Sequence, residues 1–325
     1  MVTGAMAAPC VVGVDLGGTK LLAGAVDENL NVHHRARRAT QGLDRDGLLD
    51  IAVAAVSELR ESVDGPVSAV GFGIPCTMDQ ERGMAVQAVN LPLVDVPFRD
   101  IMAERLGLPV WVDNDANVAA LAEHRFGAAR GSRHTVMLTV GTGIGGGLVL
   151  DDAVYRGSVG AAAELGHMVI EVDGPPCQGN CPNHGCLEAV ASGTALAREA
   201  RAAAAREPAS ALGEAAASGR SIGGALVTEL AHDGDSVARS VLALIGRRLG
   251  VGVASYVNIF NPEYVVLGGG VMGAGELVLE PVRAEVAARA LRPSRDLARI
   301  VAAAFGGEAG MVGAAALAWD GLGSS

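Results

Sequence analysis

Cys177, Cys181 and Cys186 stand within ten residues of one another in a chain that has only two further cysteines, Cys10 and Cys76, and His167 precedes the group. Three thiolates and an imidazole are the donor set that structural zinc takes, because the ion imposes no d-electron geometry and accepts four soft or borderline ligands tetrahedrally. His184, between Cys181 and Cys186, is the rival fourth ligand; its nearness to Cys186 would strain a tetrahedral clip, which favours His167. Such a site keeps no position open for chemistry. What it offers is placement: Glu164 lies three residues before His167 and Glu188 two after Cys186, so a metal there fixes two carboxylates at one spot. Clustered cysteines in a chain with no export signal read as metal ligands before they read as disulfides.

Two glycine turns carry a second kind of chemistry. Asp15-Leu-Gly17-Gly18-Thr19-Lys20 and Gly141-Thr142-Gly143-Ile-Gly-Gly-Gly147 each follow an apolar strand and lead into another. Without a Cβ the backbone can approach a phosphate closely and aim successive N–H groups at it. Neither turn opens a helix, so neither is a P-loop nor a dinucleotide fingerprint. The second repeats the first 124 residues on, with Gly17 over Gly141 and Asp27 over Asp151. Two hairpins of one design, each beginning a half of the chain, imply duplicated domains, and with Gly268 and Gly269 ending a third apolar strand they imply a nucleotide held between the halves. Asp15, beside the first turn, is placed to orient the magnesium that accompanies a nucleotide. Lys20 is the only lysine in the chain.

Asp113-Asn114-Asp115 follows an apolar run and precedes a helical pattern. One of the three caps the helix, and a carboxylate left over at such a strand end can take the proton of an attacking hydroxyl. Glu164, His167 and Glu188 add further acceptors suited to a polyol.

Stepping outward, 325 residues with 50% hydrophobic and 19% charged content are ordinary for two globular domains. A net charge of −11 and a pI near 5.1 argue against a nucleic-acid footprint, which needs a basic face. No uninterrupted apolar run reaches the roughly 20 residues of a membrane span, and the N-terminus has no signal pattern, so a cytoplasmic protein without a membrane partner is expected. Periodicity predicts a third strand near residues 31–40, a helix over 47–63, strands at 67–74 and 110–112, a helix over 117–129, a strand-like 168–172, one helical stretch over 194–217, a long helix over 237–260, a strand at 264–267 and a final helix over 310–319. This order reads as α/β, two domains with mixed sheets and a cleft between them.

The motifs resemble the ROK family of sugar kinases and repressors, on the actin-like (ribonuclease-H-like) ATPase fold. They are Asp15-Leu-Gly-Gly-Thr-Lys, Gly71-Phe-Gly-Ile-Pro75, Asp113-Asn-Asp115, Gly141-Thr-Gly-Ile-Gly-Gly-Gly, Glu164-Leu-Gly-His167, Gly-Cys186-Leu-Glu188 and Leu267-Gly-Gly-Gly-Val, and the likeness runs from about residue 11 to 317. The resemblance implies Asp115 as catalytic base and Asn90, Asn114, Asp115, Glu164, His167 and Glu188 as sugar contacts. It further implies Asp15, Gly17, Gly18, Thr19, Lys20, Gly141, Thr142, Gly143, Gly268 and Gly269 around ATP and Mg2+, and His167, Cys177, Cys181 and Cys186 around structural Zn2+. It divides the chain into a smaller domain, 1–120, completed by the helix at 308–325, and a larger one, 121–307, carrying the zinc loop. The implied activity is phosphorylation of a hexose at its 6-hydroxyl, with glucose first, and the implied assembly a dimer or tetramer. A kinase of N-acetylmannosamine, N-acetylglucosamine or fructose, or a non-catalytic sugar-responsive regulator, is the alternative. The family's repressors carry a helix-turn-helix ahead of the first glycine loop, and about ten residues precede that loop here. Two departures stand out: Cys177 and Cys181 are three residues apart where the family usually has one, and Cys76 follows Gly-Ile-Pro where glycine is common.

Overall fold

Alternating apolar runs and glycine turns make the first half strand-rich. In a computed structural model, which describes residues 8–88 and 91–323, it runs β1 (Cys10–Leu16), β2 (Lys20–Val26), β3 (Val32–Ala39), α1 (Arg45–Ser62), β4 (Val67–Ile74), β5 (Cys76–Asp79), β6 (Met84–Ala88), β7 (Val94–Val96), α2 (Phe98–Leu106), β8 (Val110–Asn114) and α3 (Asp115–Arg125). The second half is β9 (Thr135–Val140), β10 (Ile144–Leu150), β11 (Ala153–Val154), α4 (Leu187–Ala191), α5 (Gly193–Arg206), α6 (Ala211–Ala217), α7 (Gly224–His232), α8 (Ser236–Phe260), β12 (Tyr264–Gly268), α9 (Glu276–Arg289), α10 (Ser294–Leu297), β13 (Arg299–Ala302) and α11 (Ala309–Gly323).

The duplication is visible as topology. One five-stranded sheet has the order β3-β2-β1-β4-β8 and the other β11-β10-β9-β12-β13. In each, a glycine hairpin pairs antiparallel and the two outer strands on the other side run parallel. Both faces of β1 are covered, which is why its residues are almost all buried instead of alternating. α1 lies on one face and α11 on the other; a Cβ at Gly71 of β4 would fall 1.8 Å from the Ala314 carbonyl of α11, so only glycine permits the contact. The C-terminal helix thus packs on the first sheet, while α3 packs against β9 and β10 of the second.

The second half adds a helical layer on its own core. α8 begins at Asp235, whose carboxylate accepts from Val237 N at 2.7 Å and Ala238 N at 3.2 Å, and stops at Asn261 in the left-handed region. By length and hydropathy α8 is the described helix that could cross a bilayer, but its apolar side is packed against α4, α5, α7 and α9 and it is the central core helix of this half.

Three expectations need correction. Residues 168–172 do not form a strand: Val169 makes one bridge with Cys186, and Ile170 N and Glu171 N both donate to the Gly185 carbonyl, because this segment wraps the cysteine loop and has no sheet beside it. The helical stretch over 194–217 divides into α5 and α6. Pro208 supplies no N–H to continue the first, and Ser210 caps the second by accepting from Gly213 N at 3.0 Å. Finally, α3 starts two residues earlier than the apolar pattern suggests, since Asn114 is its cap.

Candidate active site and metal centre

The three polar residues at the end of β8 do three different things. Asn114 caps α3, its Oδ1 accepting from Ala116 N at 2.9 Å and Asn117 N at 3.3 Å while its amide donates to the Cys76 carbonyl at 3.3 Å. Asp113 is 2% exposed, and its carboxylate is saturated. Oδ1 accepts from Asn114 N at 2.7 Å, Gln80 Nε2 at 3.0 Å and Asn117 Nδ2 at 3.0 Å, and Oδ2 from Arg156 Nε at 2.8 Å and Nη2 at 2.6 Å. Asp115 has no guanidinium partner: its carboxylate accepts from Ala116 N at 2.9 Å and is further steadied by its own N–H and the Asn114 side chain. Burial, and then the charge of Glu164, holds its carboxyl above the usual carboxylate range. A carboxylate of raised proton affinity in the first turn of a helix is what proton abstraction from a hydroxyl needs.

Asp115 opens onto a cleft lined by Cys76, Thr77, Asn114, Gly145, Ala163 and Glu164, residues from both halves of the chain. Cys76 forms part of its wall, and its thiol is pushed up to about 12 by burial and then by Asp115 and Asp113. A roomier hollow of about 400 Å³ between α5 and α8, lined by Arg206, Glu207 and Ser240 among others, contains none of the predicted site residues.

Each hairpin turn closes with one backbone bond: Gly17 N donates to Lys20 O at 2.9 Å, and Gly141 N to Gly143 O at 2.9 Å. The first turn is braced from β3's end, where Thr40 Oγ1 donates to Gly17 O at 2.7 Å and Thr40 N to Thr19 O at 3.1 Å. Gly18 is half-buried and Thr19 and Lys20 are exposed. Asp15 sits under this turn facing the start of α11; a Cβ at Gly310 would lie 2.7 Å from its carboxyl carbon. Burial, then Asp115, push the Asp15 carboxyl up to about 7, with Lys20 pulling the other way.

The second turn is held by the start of α5, where Gly193 N donates to Gly141 O at 2.7 Å and Thr194 Oγ1 to Thr142 O at 2.9 Å. Gly269, at φ +89°, packs its backbone under Val140 at the end of β9, beside Gly268. Glu188, in the first turn of α4, reaches the same place: its Oε2 accepts from Ile144 N at 2.7 Å.

The four donors predicted for a metal do converge. One ligand atom each from His167, Cys177, Cys181 and Cys186 lies within 4.8 Å of all the others. His184 does not join them; its Nδ1 is 3.3 Å from the Gly174 carbonyl. His167 turns Nδ1 toward the thiols, 3.5 Å from Cys177 Sγ, and Nε2 toward Glu164, 3.8 Å from its carboxylate. Cys177 Sγ is 3.8 Å from Glu188, so the cluster touches both flanking carboxylates. Burial and then the neighbouring Cys186 and Cys181 raise the Cys177 thiol well above its usual range, so the cluster would ionise to thiolates only beside a compensating cation. The unusual spacing of Cys177 and Cys181 is absorbed by the loop, with Cys181 N donating to Gln178 O at 3.3 Å.

A match to the ROK family model spans residues 11–320. The chain belongs to the ROK family. Its relatives include the glucokinase of Thermotoga maritima, 37% identical over 315 residues that cover 96% of this chain and 98% of the other. Among solved structures, a ROK family glucokinase from Streptomyces griseus in complex with glucose and AMPPNP aligns with a TM-score of 0.85 at 38% identity, covering 96% of this chain and 99% of that one. A ROK family transcriptional regulator, a homologue of the E. coli MLC protein, aligns with a TM-score of 0.86 at 27% identity, covering 95% of this chain but 77% of that one. The ROK fold accounts for the mixed α/β architecture and its two like sheets.

Asn90 lies outside the described residues. Sequence reasoning missed Arg156, Gln178 and Tyr256. Gln178 Nε2 donates to Ser192 Oγ at 3.1 Å, linking the cysteine loop to the cap of α5, and the buried Tyr256 hydroxyl donates to the Leu165 carbonyl beside Glu164. No motif marks Arg156 or Tyr256, whose partners are 43 and 91 residues away, and Gln178 is one polar residue among the cysteines with nothing to set it apart.

Proposed function

We propose that this ROK protein transfers the γ-phosphoryl group of ATP to the 6-hydroxyl of a hexose, and that glucose is that hexose. The observation that carries the reading is the division of labour at the end of β8: Asn114 caps, Asp113 is saturated by Arg156 and three neutral donors, and Asp115 presents a carboxylate of raised proton affinity to the cleft. Its kinship to glucokinases over nearly the whole of both chains supports the substrate.

In this reading Asp115 takes the proton as the sugar oxygen attacks phosphorus. Asn90, Asn114, Glu164, His167 through Nε2, and Glu188 hold the sugar's hydroxyls. Gly17, Gly18, Thr19 and Lys20 from one side and Gly141, Thr142, Gly143, Gly268 and Gly269 from the other enclose the nucleotide. Asp15 fits a magnesium partner, since a carboxyl raised to about 7 ionises fully near neutral pH only beside a cation. Magnesium supplies neutralisation of phosphate charge. Cys177, Cys181, Cys186 and His167 Nδ1 fit structural zinc, which supplies a crosslink between the segments bearing Glu164 and Glu188. Residues 1–120 with 308–325 form one lobe and 121–307 the other, with α3 crossing the boundary. ATP as donor suits a cytoplasmic enzyme.

Asp115→Asn tests the assignment. Size and hydrogen bonding are kept but the proton acceptor is lost, so turnover should fall by about a hundredfold or more while calorimetric sugar affinity changes little. A folded, sugar-binding Asp115→Asn protein with near wild-type turnover would refute it.

A further inference from the structure

We propose that Arg156 is a positioning residue for the sugar, a strut that carries the Glu164 loop from the second half across the cleft and fastens it beside Asp115 through Asp113. The proposal rests on the sugar-kinase reading above. Arg156 and Asp113 are 43 residues apart in sequence and come from different sheets, Asp113 from β8 of the first and Arg156 from just after β11 of the second. Both Nε and Nη2 of the guanidinium donate to Asp113 Oδ2, at 2.8 and 2.6 Å, and Nη1 lies 3.4 Å from the Val154 carbonyl. With the Asp113 side chain 2% exposed, the pair is shielded from water on the aspartate side, and a planar fork with fixed donors sets direction as well as distance.

The backbone beyond Arg156 has the shape of a supported span. Its carbonyl accepts from Ala162 N at 3.2 Å, closing residues 156–162 into a loop. Midway, Gly160, at φ +78°, lies so close to β5 that a Cβ there would be 1.8 Å from the Met78 carbonyl. Ala163 follows at φ +64°, its carbonyl against Gly146 of β10, and then Glu164 faces the cleft shared with Asp115. Beyond it Leu165 O is held by Tyr256. The Leu165 end is anchored on the second half by Tyr256, and the Arg156 end on the first half by Asp113. Loss of Arg156 leaves the span held to the first half by the packing of Gly160 on Met78 without its charged fastening, and the distance of Glu164 to a bound sugar is then less tightly set.

The same geometry gives Asp113 a purpose apart from acid–base chemistry. A buried carboxylate two residues from the base is tolerable only because two guanidinium N–H groups and three neutral donors satisfy it.

Three variants, assayed beside the wild type for hexose phosphorylation by ATP, test the strut. Arg156→Met should raise the KM for sugar by about tenfold or more with the KM for ATP changed less than about twofold, the pattern of lost sugar positioning. Arg156→Lys, which keeps charge but not the fork, should fall between Arg156→Met and wild type. The double variant Asp113→Asn/Arg156→Met removes the unpaired buried charge along with its partner, so its melting temperature should recover toward wild type while the sugar KM stays raised. If Arg156→Met does not fold, the double variant carries the test. A stable double variant with wild-type sugar KM, or a folded Arg156→Met enzyme with unchanged sugar KM, overturns the proposal. Absence of hexose phosphorylation by the wild type instead overturns the functional reading, so the two failures are separable.

Discussion

The two hairpin turns are one structure in two settings. Both turns put three residues between their strands and sit in sheets of the same order, though the first closes from Gly17 N to Lys20 O and the second one residue tighter, from Gly141 N to Gly143 O. Around the first, Gly17–Thr19, there is little besides the Thr40 brace, and Lys20 reaches solvent. Around the second, Gly141–Gly143, α4 brings Glu188, α5 brings Gly193 and Thr194, and the cysteine loop brings Gln178, whose amide is 3.4 Å from Thr142 O. Duplication copied the strand pattern; the difference lies in what was inserted after β11 in the second half, the cysteine loop and a layer of helices. In the reading proposed above, a shared backbone supplies two phosphate-type turns, and insertions would make the second a junction between nucleotide and sugar.

Gly143→Ala should break that junction most severely. A Cβ there would lie 2.2 Å from Glu188 Oε2, so the carboxylate must leave its bond to Ile144 N, and kcat/KM for sugar should fall by on the order of a hundredfold. Steady-state kinetics with sugar varied at saturating ATP checks it. Cys181→Ala should weaken sugar binding by about tenfold, with any bound zinc lost by elemental analysis and nucleotide affinity changed much less, because the cluster touches Glu164 and Glu188 while the second turn keeps its bonds to Gly193 and Thr194 and the first turn is untouched. Gly17→Ala, whose Cβ would meet only the Lys20 carbonyl at 3.1 Å, should raise the KM for ATP by roughly threefold through one lengthened backbone contact and leave sugar affinity alone. If Gly17→Ala and Gly143→Ala give the same kinetic pattern, the two turns are equivalent and the comparison fails.

The smallest expected effect is on stability. The folded-state carboxyl of Asp15 titrates at about 7, above its unfolded value near 3.8, so the folded protein holds a proton that the unfolded chain releases. That contribution is complete below the unfolded value and is lost as pH rises through about 7. Without nucleotide or added magnesium, lowering pH from 8 to 6.5 should raise the melting temperature by about 1 °C. Turnover should move the other way, since Asp115 must be ionised to accept a proton. A melting temperature that falls over this interval would contradict the burial of Asp15.

What could be read from the sequence was what repeats or clusters locally. The strand-turn-strand pattern around Gly17 and Gly141 recurs at a fixed offset, so both hairpins and the sheet duplication were legible. The cysteines lie close enough in sequence to suggest one ion, and the long apolar periodicity gave α8. The short strands β5–β7 escaped because they are three to five residues long and gain their order from pairing with one another. Residues 168–172 carry a strand's apolar content, yet among the described residues they find only the single Val169–Cys186 bridge to pair with. The roles within Asp113-Asn114-Asp115 were undecidable by composition, since all three residue types cap helices well. Only the arrival of Arg156 from the other half, which commits Asp113, and the direction of the Asn114 amide separate them.

The central claim is tested most directly by identifying the product. Wild-type protein with ATP, magnesium and a panel of hexoses, followed by phosphorus NMR, should yield ADP and a hexose 6-phosphate in equal amounts, with the highest kcat/KM for glucose. ADP formed no faster with any hexose than without one, or phosphate carried on an oxygen other than that of carbon six, would contradict it.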